Sequence, residues 1–250
     1  MAQALPAEIY GAGLVFGRVG ALTMVLPGLG EAMVPPRVRL AFALVLTLAL
    51  YPVLRASLPP LPAGVGDMFG QLLIELIVGL ALGTLIKMFM GALVVAGEVV
   101  SIQTTLAFSQ TANPLQAQPT TSLTAFLSLL GVILVFATGL HHLFIGALVH
   151  SYTLFPAGKP LSIPDFTTLA IRTIGETFAL GIQLSAPVLV FSLVFNVAAG
   201  FVGRMMPQFP IFFVVTPLSV LLGLSIFAIG LGLLGVVWVD RFRDFLGRLV

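Results

Sequence analysis

Residues Met205–Val239 read MMPQFPIFFVVTPLSVLLGLSIFAIGLGLLGVVWV and contain no Asp, Glu, Lys or Arg. About 20 apolar residues make a helix that crosses a hydrocarbon core, so this stretch alone is long enough to span one. Three further stretches likewise lack Asp, Glu, Lys and Arg, the first of them short for a span: Leu40–Leu54, Val99–Gly158 and Thr177–Gly203. Across the 250 residues, 59% are hydrophobic and 8% are charged, and the mean hydropathy is +1.15. A soluble domain carries about 25% charged residues because its surface must face water. The chain has too few ionisable side chains to coat itself, so its surface must meet lipid or apolar protein. The expected fold class is an all-α polytopic membrane protein of bent and kinked apolar helices.

Six helical regions follow from these runs, at about Ile9–Leu26, Leu40–Val53, Phe69–Ala96, Leu123–Tyr152, Ile174–Phe201 and Ile211–Val239. Their uneven lengths point to broken or re-entrant helices rather than uniform spans. Pro27-Gly28, Pro35-Pro36, Pro59-Pro60, Asn113-Pro114, Pro160–Pro164 and Pro207–Pro210 mark loops or kinks. Pro187 and Pro217 lie inside helical regions and should kink them. Met1–Leu26 has no basic residue before Arg18, unlike a secretory signal, and reads as a first helix. With both termini on one side, that side carries Arg55, Lys159, Arg172, Arg241, Arg243 and Arg248, against Arg37, Arg39 and Arg204 opposite. The excess predicts cytoplasmic termini.

Several function classes find little support. The net charge is +2 with the basic residues scattered, which gives no nucleic-acid footprint. Cysteine is absent, so disulfides and Cys-ligated metals are excluded. Gly64-Val-Gly-Asp67 matches the G-x-G-D string of intramembrane aspartyl proteases, but no second Asp lies within an apolar span to share a proton with it. Asp67 reads instead as a helix N-cap. His141, His142 and His150 lack metal spacing: His142 and His150 differ by about 80° around a helix. No nucleophile elbow and no phosphate loop occurs. The expectation is a non-enzyme without cofactor or metal.

Five charges interrupt apolar stretches: Arg18, Glu75, Lys87, Glu98 and Glu176. Each costs about 3 kcal/mol in hydrocarbon and requires a partner or water. Lys87 and Glu98 share a helix face but are about 16 Å apart along it, too far to pair. A proton path would need an ordered series of carboxylates, which is missing, so structural pairing between helices is favoured. Gly13/Gly17, Gly79/Gly83 and Gly223–Gly235 place small residues at helical spacing, where backbones pack closely.

Ser101–Ser122, SIQTTLAFSQTANPLQAQPTTS, is polar yet uncharged and separates two apolar helices. Irregular backbone at membrane depth is tolerated only against protein or a water-filled cavity. The segment reads either as tucked into a protein-lined space with Phe108 as an apolar plug, or as an uncharged surface loop.

Four blocks in order resemble the FliR family, subunits of the flagellar type III export gate related to the injectisome SctT family. They are FGRVGALTMVLPGLGEAMVPPRVRLAFALVLTLALYP (Phe16–Pro52), AGEVVSIQTTLAFSQTANPLQAQPTTSLTAFL (Ala96–Leu127), GLHHLFIGALVHSYTLFPAG (Gly139–Gly158) and GRMMPQFPIFFVVTPLSVLLGL (Gly203–Leu224). The resemblance covers essentially the whole chain. It implies a single FliR-type membrane domain over 1–250, FliP-like in its N-terminal part and FliQ-like in its C-terminal part, with sharply bent helices. It further implies a helical FliP–FliQ–FliR assembly in the bacterial inner membrane, at the flagellar basal body, whose pore passes unfolded export substrates. FliP-like, FliQ-like and FlhB-like proteins would be the partners, with lipid. The plug loop would be about Leu106–Gln118, with Leu106, Phe108, Asn113, Pro114, Gln116 and Gln118 named from it. Much of such an assembly stands raised from the bilayer, in tension with six regular spans. Ser219 and His150 depart from the family, where Lys and an acidic residue are common. An injectisome subunit is the alternative, and a small-solute transporter a remoter one that would need internal symmetry and a midplane ionisable site.

Overall fold

Proline and glycine set the helix boundaries. α1 (Ala4–Val25) stops at the Pro27-Gly28 turn, and α2 (Pro36–Leu54) starts with proline in its first turn, where the missing N–H leaves no bond unmade. Arg39, from the Pro-x-Arg-x-Arg entry, donates back to the carbonyls of Val34 and Glu31, tying down that turn. α3 (Val65–Gln103) has Asp67 inside its first turn rather than ahead of it as a cap. A short 3₁₀ turn (Leu106–Ser109) follows, then α4 (Ser122–Ala137), α5 (His141–Leu154), α6 (Ile163–Met205) and α7 (Phe212–Gly247). The computed structural model describes residues 4–31, 34–109, 121–160, 162–206, 208 and 210–249, and among them no strand occurs.

The region expected as one helix over Leu123–Tyr152 is two, α4 and α5, bent by 76°. Gly139 turns the chain there at φ +73°, a left-handed conformation that costs glycine little. Pro187 and Pro217 lie inside α6 and α7, which continue through them. Among the described residues, four helical segments are long and apolar enough to cross a membrane: Pro36–Ser57, Val65–Gln103, Ile163–Met205 and Phe212–Gly247. The bent α4–α5 pair makes a fifth if it counts as one span. α1 is not among them. The chain is an all-α polytopic membrane protein.

The residues gather into two compact units. The first comprises Met1–Phe89, Phe136–Ile174 and Phe242–Val250. There Val15 and Val19 of α1 pack with Ala43, Leu50 and Leu54 of α2 and with Leu148 and Tyr152 of α5. Phe89 stacks on Phe245 with centroids 4.5 Å apart. The second unit comprises Met90–Val135 and Gly175–Arg241. Its buried side chains include Leu93, Leu127, Leu184, Phe227 and Trp238. Gly181 lies where a Cβ would come within 2.6 Å of Val95, so α3 and α6 approach there with nothing between.

Candidate functional site

Two polar nodes stand out in this apolar chain, one in each unit. In the first unit Arg18 of α1 meets Glu75 of α3, Nε to Oε2 at 2.7 Å and Nη2 to Oε1 at 3.1 Å. Both side chains are 0% exposed. Arg18 also donates to Ser151 Oγ at 3.0 Å and to the Phe155 carbonyl at 2.9 Å. The Gly158 N–H donates to Glu75 Oε1 at 3.1 Å, and the guanidinium lies 3.8 Å from the Tyr152 ring centroid. The planar five-donor fork of arginine suits a two-point contact with a carboxylate, and satisfied hydrogen bonds make a buried pair tolerable. One node therefore joins α1, α3, α5 and the turn after α5. The guanidinium and the carboxylate, buried and bonded to each other, leave neither charge open to a substrate.

Close backbone approach surrounds this pair. A Cβ on Gly79 would run into the Arg18 carbonyl and stand 2.9 Å from Ala21 Cβ. One on Gly83 would stand 3.1 Å from Val25 Cβ, and one on Gly17 would stand 3.5 Å from Glu75 Cβ. Gly13 differs: a Cβ there would meet nothing within 4 Å, so it makes no such approach within the chain.

Lys87 is exposed on α3 and forms no ion pair among the described residues. Glu98, in the second unit, is surrounded by neutral donors. Its Oε1 accepts from Thr124 Oγ1 at 2.9 Å and, more distantly, from the Thr121 N–H at 3.4 Å, and Thr121 Oγ1 lies 3.5 Å away. Thr121 Oγ1 shares a hydrogen bond with Thr124 Oγ1 at 2.7 Å and accepts from Ser101 Oγ at 2.8 Å. Gly97 makes room for this: a Cβ there would be 2.7 Å from Thr124 Cα.

These contacts lie at the two ends of the uncharged polar segment. On the α3 side the helix ends at Gln103, and Thr105 adopts φ +62° ahead of the 3₁₀ turn that holds Leu106 and Phe108. Gln103 Oε1 accepts from Ser192 Oγ at 2.7 Å, and Ser192 Oγ accepts from Asn196 Nδ2 at 3.1 Å. These three side chains line an open groove of about 550 Å³ along α6 with Leu189, Leu193 and Val197. Only the backbone of Phe108 is described. Asn113, Pro114, Gln116 and Gln118 lie outside the described residues.

Sequence reasoning named the intramembrane charges but not their uncharged partners. Ser151 and Thr124 carry no pattern that separates them from other hydroxyls in apolar helices, and Thr121 was marked only as one of many polar residues in Ser101–Ser122. The Phe155 carbonyl and Gly158 N–H are backbone groups, invisible to composition. Position in the Pro156–Gly158 turn was the one available signal. Among the described residues, no cluster of three or more His, Asp or Glu could hold a metal. His142 Nδ1 lies 3.1 Å from the Gly139 carbonyl, and His150 Nδ1 lies 3.4 Å from Thr153 Oγ1.

The family described as bacterial export proteins, family 1, matches residues 9–245. The chain is 48% identical to the flagellar biosynthetic protein FliR of Caulobacter vibrioides over 96% of this chain and 95% of the relative. It is 32% identical to that of Escherichia coli, over 84% and 80%. To that of Aquifex aeolicus it is 26% identical, over 93% and 89%.

Proposed function

The chain belongs to the FliR family of bacterial export proteins, and on that premise we propose that it is a structural, pore-forming subunit of the flagellar type III export gate. In this reading it closes a FliP- and FliQ-like helical assembly in the inner membrane at the basal body, with an FlhB-like protein beside it. Its pore passes unfolded flagellar substrates, and Leu106–Gln118 contributes the plug. The family match runs over 9–245, across both compact units, which supports treating them as one FliR-type domain. The relatives carry a flagellar name, which favours this use over an injectisome. Export of a chain through a pore requires no catalytic group in this subunit, and the family is an export family rather than an enzyme family.

The observation that carries the pore role is the uncharged polar segment Ser101–Ser122 between two strongly apolar helices. Neutral side chains neither trap nor repel a passing charged chain, whereas a charged ring would do one or the other. Deleting Leu106–Gln118, or replacing Phe108 with Gly, should make membranes containing the assembled gate leaky to ions. Conductance unchanged from wild type would refute the plug role.

A further inference from the structure

α4 begins with a conventional cap whose last element is missing from its own sequence. The Thr121 carbonyl accepts from the Ala125 N–H at 2.9 Å, which makes Thr121 the N-cap. Its Oγ1 accepts from the Thr124 N–H at 3.3 Å, the bond an N-cap threonine makes with the third helical residue. In a complete capping box that third residue is Glu or Gln, and its side chain returns to the N-cap N–H. Here the third residue is Thr124, too short to reach back. Glu98 of α3 stands in its place, within 3.4 Å of the Thr121 N–H.

We infer that Glu98 completes the capping box of α4 from another helix and thereby fixes the base of the polar segment; the consequence for the pore rests on the plug reading. With the Thr124 proton given to Glu98, Thr121 is the donor of the bond the two threonines share, so the hydroxyl protons run in one direction. Ser101 donates to Thr121, Thr121 to Thr124, and Thr124 to Glu98 Oε1, with heavy-atom distances of 2.8, 2.7 and 2.9 Å. A carboxylate accepts only, so it is a natural end for such a chain, and successive bonds polarise one another. Its negative charge also faces the N-terminal end of α4, where the helix dipole favours an anion. Gly97, beside Glu98, is required because any side chain there would strike the Thr124 backbone. Ser101 and Thr121 are 20 residues apart, so the network ties together the two ends of the intervening chain. Glu98 is thus a positioning residue. It touches no substrate, and it settles where the segment leaves α3 and enters α4.

The test uses the assembled gate with Glu98→Ala, Glu98→Gln and Thr124→Val, the last keeping the side-chain shape while removing the hydroxyl. Amide exchange across the first turn of α4 should quicken about fivefold in Glu98→Ala and Thr124→Val, as for a lost cap. Glu98→Gln keeps an oxygen acceptor and should restore most of the protection. Exchange unchanged in both Glu98→Ala and Thr124→Val overturns the capping role, whatever the pore does. Ion leak is read in parallel at equal amounts of complex. Glu98→Ala should leak more than wild type and less than the Leu106–Gln118 deletion. If the deletion leaks and Glu98→Ala stays tight, the positioning inference fails while the plug reading stands. If neither leaks, both fail.

Discussion

Arg18 and Glu75 set the sharpest expectation at the scale of single residues. Removing one member leaves the other charged, buried and without its partner, which costs about 3–5 kcal/mol. Arg18→Ala or Glu75→Ala should therefore sharply lower the thermal stability of the detergent-solubilised protein. The pair Arg18→Met with Glu75→Leu should recover much of that loss, because both desolvation costs disappear together. A double variant as unstable as either single one would show that the node does more than pair charges. The sequence placed both charges inside apolar helices and required a partner for each. It could not match them, because partners 57 residues apart are brought together only by the packing of α1 on α3.

At the scale of the helix, the glycines divide by what lies opposite them. Gly79 faces backbone, which cannot yield, whereas Gly13 faces open space within the chain. Gly79→Ala should destabilise the isolated chain by about 1–3 kcal/mol through overpacking. Gly13→Ala should be neutral or stabilising by up to about 1 kcal/mol, from reduced backbone freedom. Thermal unfolding of both in one detergent checks the contrast, and equal losses would contradict it. Glycine spacing marked both positions alike, since a period of four residues gives the face of a helix but not its neighbour. The same limit explains the fourth apolar region, Leu123–Tyr152. Thr138-Gly139 and His141-His142 interrupt the apolar run only briefly and without a formal charge, so hydropathy over a span-length window does not reveal the turn made there by one left-handed glycine.

For the whole molecule, the shortage of charge decided the class correctly, and the long helices bear large apolar side chains on the outside. Phe213 is 78% exposed and Ile229 is 86% exposed. Such surface in water would drive association. The chain should leave membranes only with detergent, and should be held in a large complex when co-expressed with the FliP- and FliQ-like proteins proposed to join it. A folded monomer free in buffer would overturn this account. Family membership was legible from four blocks in order, and the family match over 9–245 bears it out. The proposed site was less legible. Its outline came from composition, but the hydroxyl network around Glu98 depends on which turn of α3 meets the start of α4.

The Arg18 node also has a history in time. The ribosome makes Arg18 57 residues before Glu75 and 133 residues before Ser151. At about 5–20 residues per second, the guanidinium waits on the order of several seconds for its carboxylate and longer for its hydroxyl. During that interval no counter-charge from α3 exists, so α1 must rest where water or lipid headgroups can reach Arg18. The Arg18 end of α1 is thus expected to close only as α3 emerges: in a chain truncated before Glu75, a cysteine put in place of Arg18 should react with a water-soluble thiol reagent, and protection there would contradict this order.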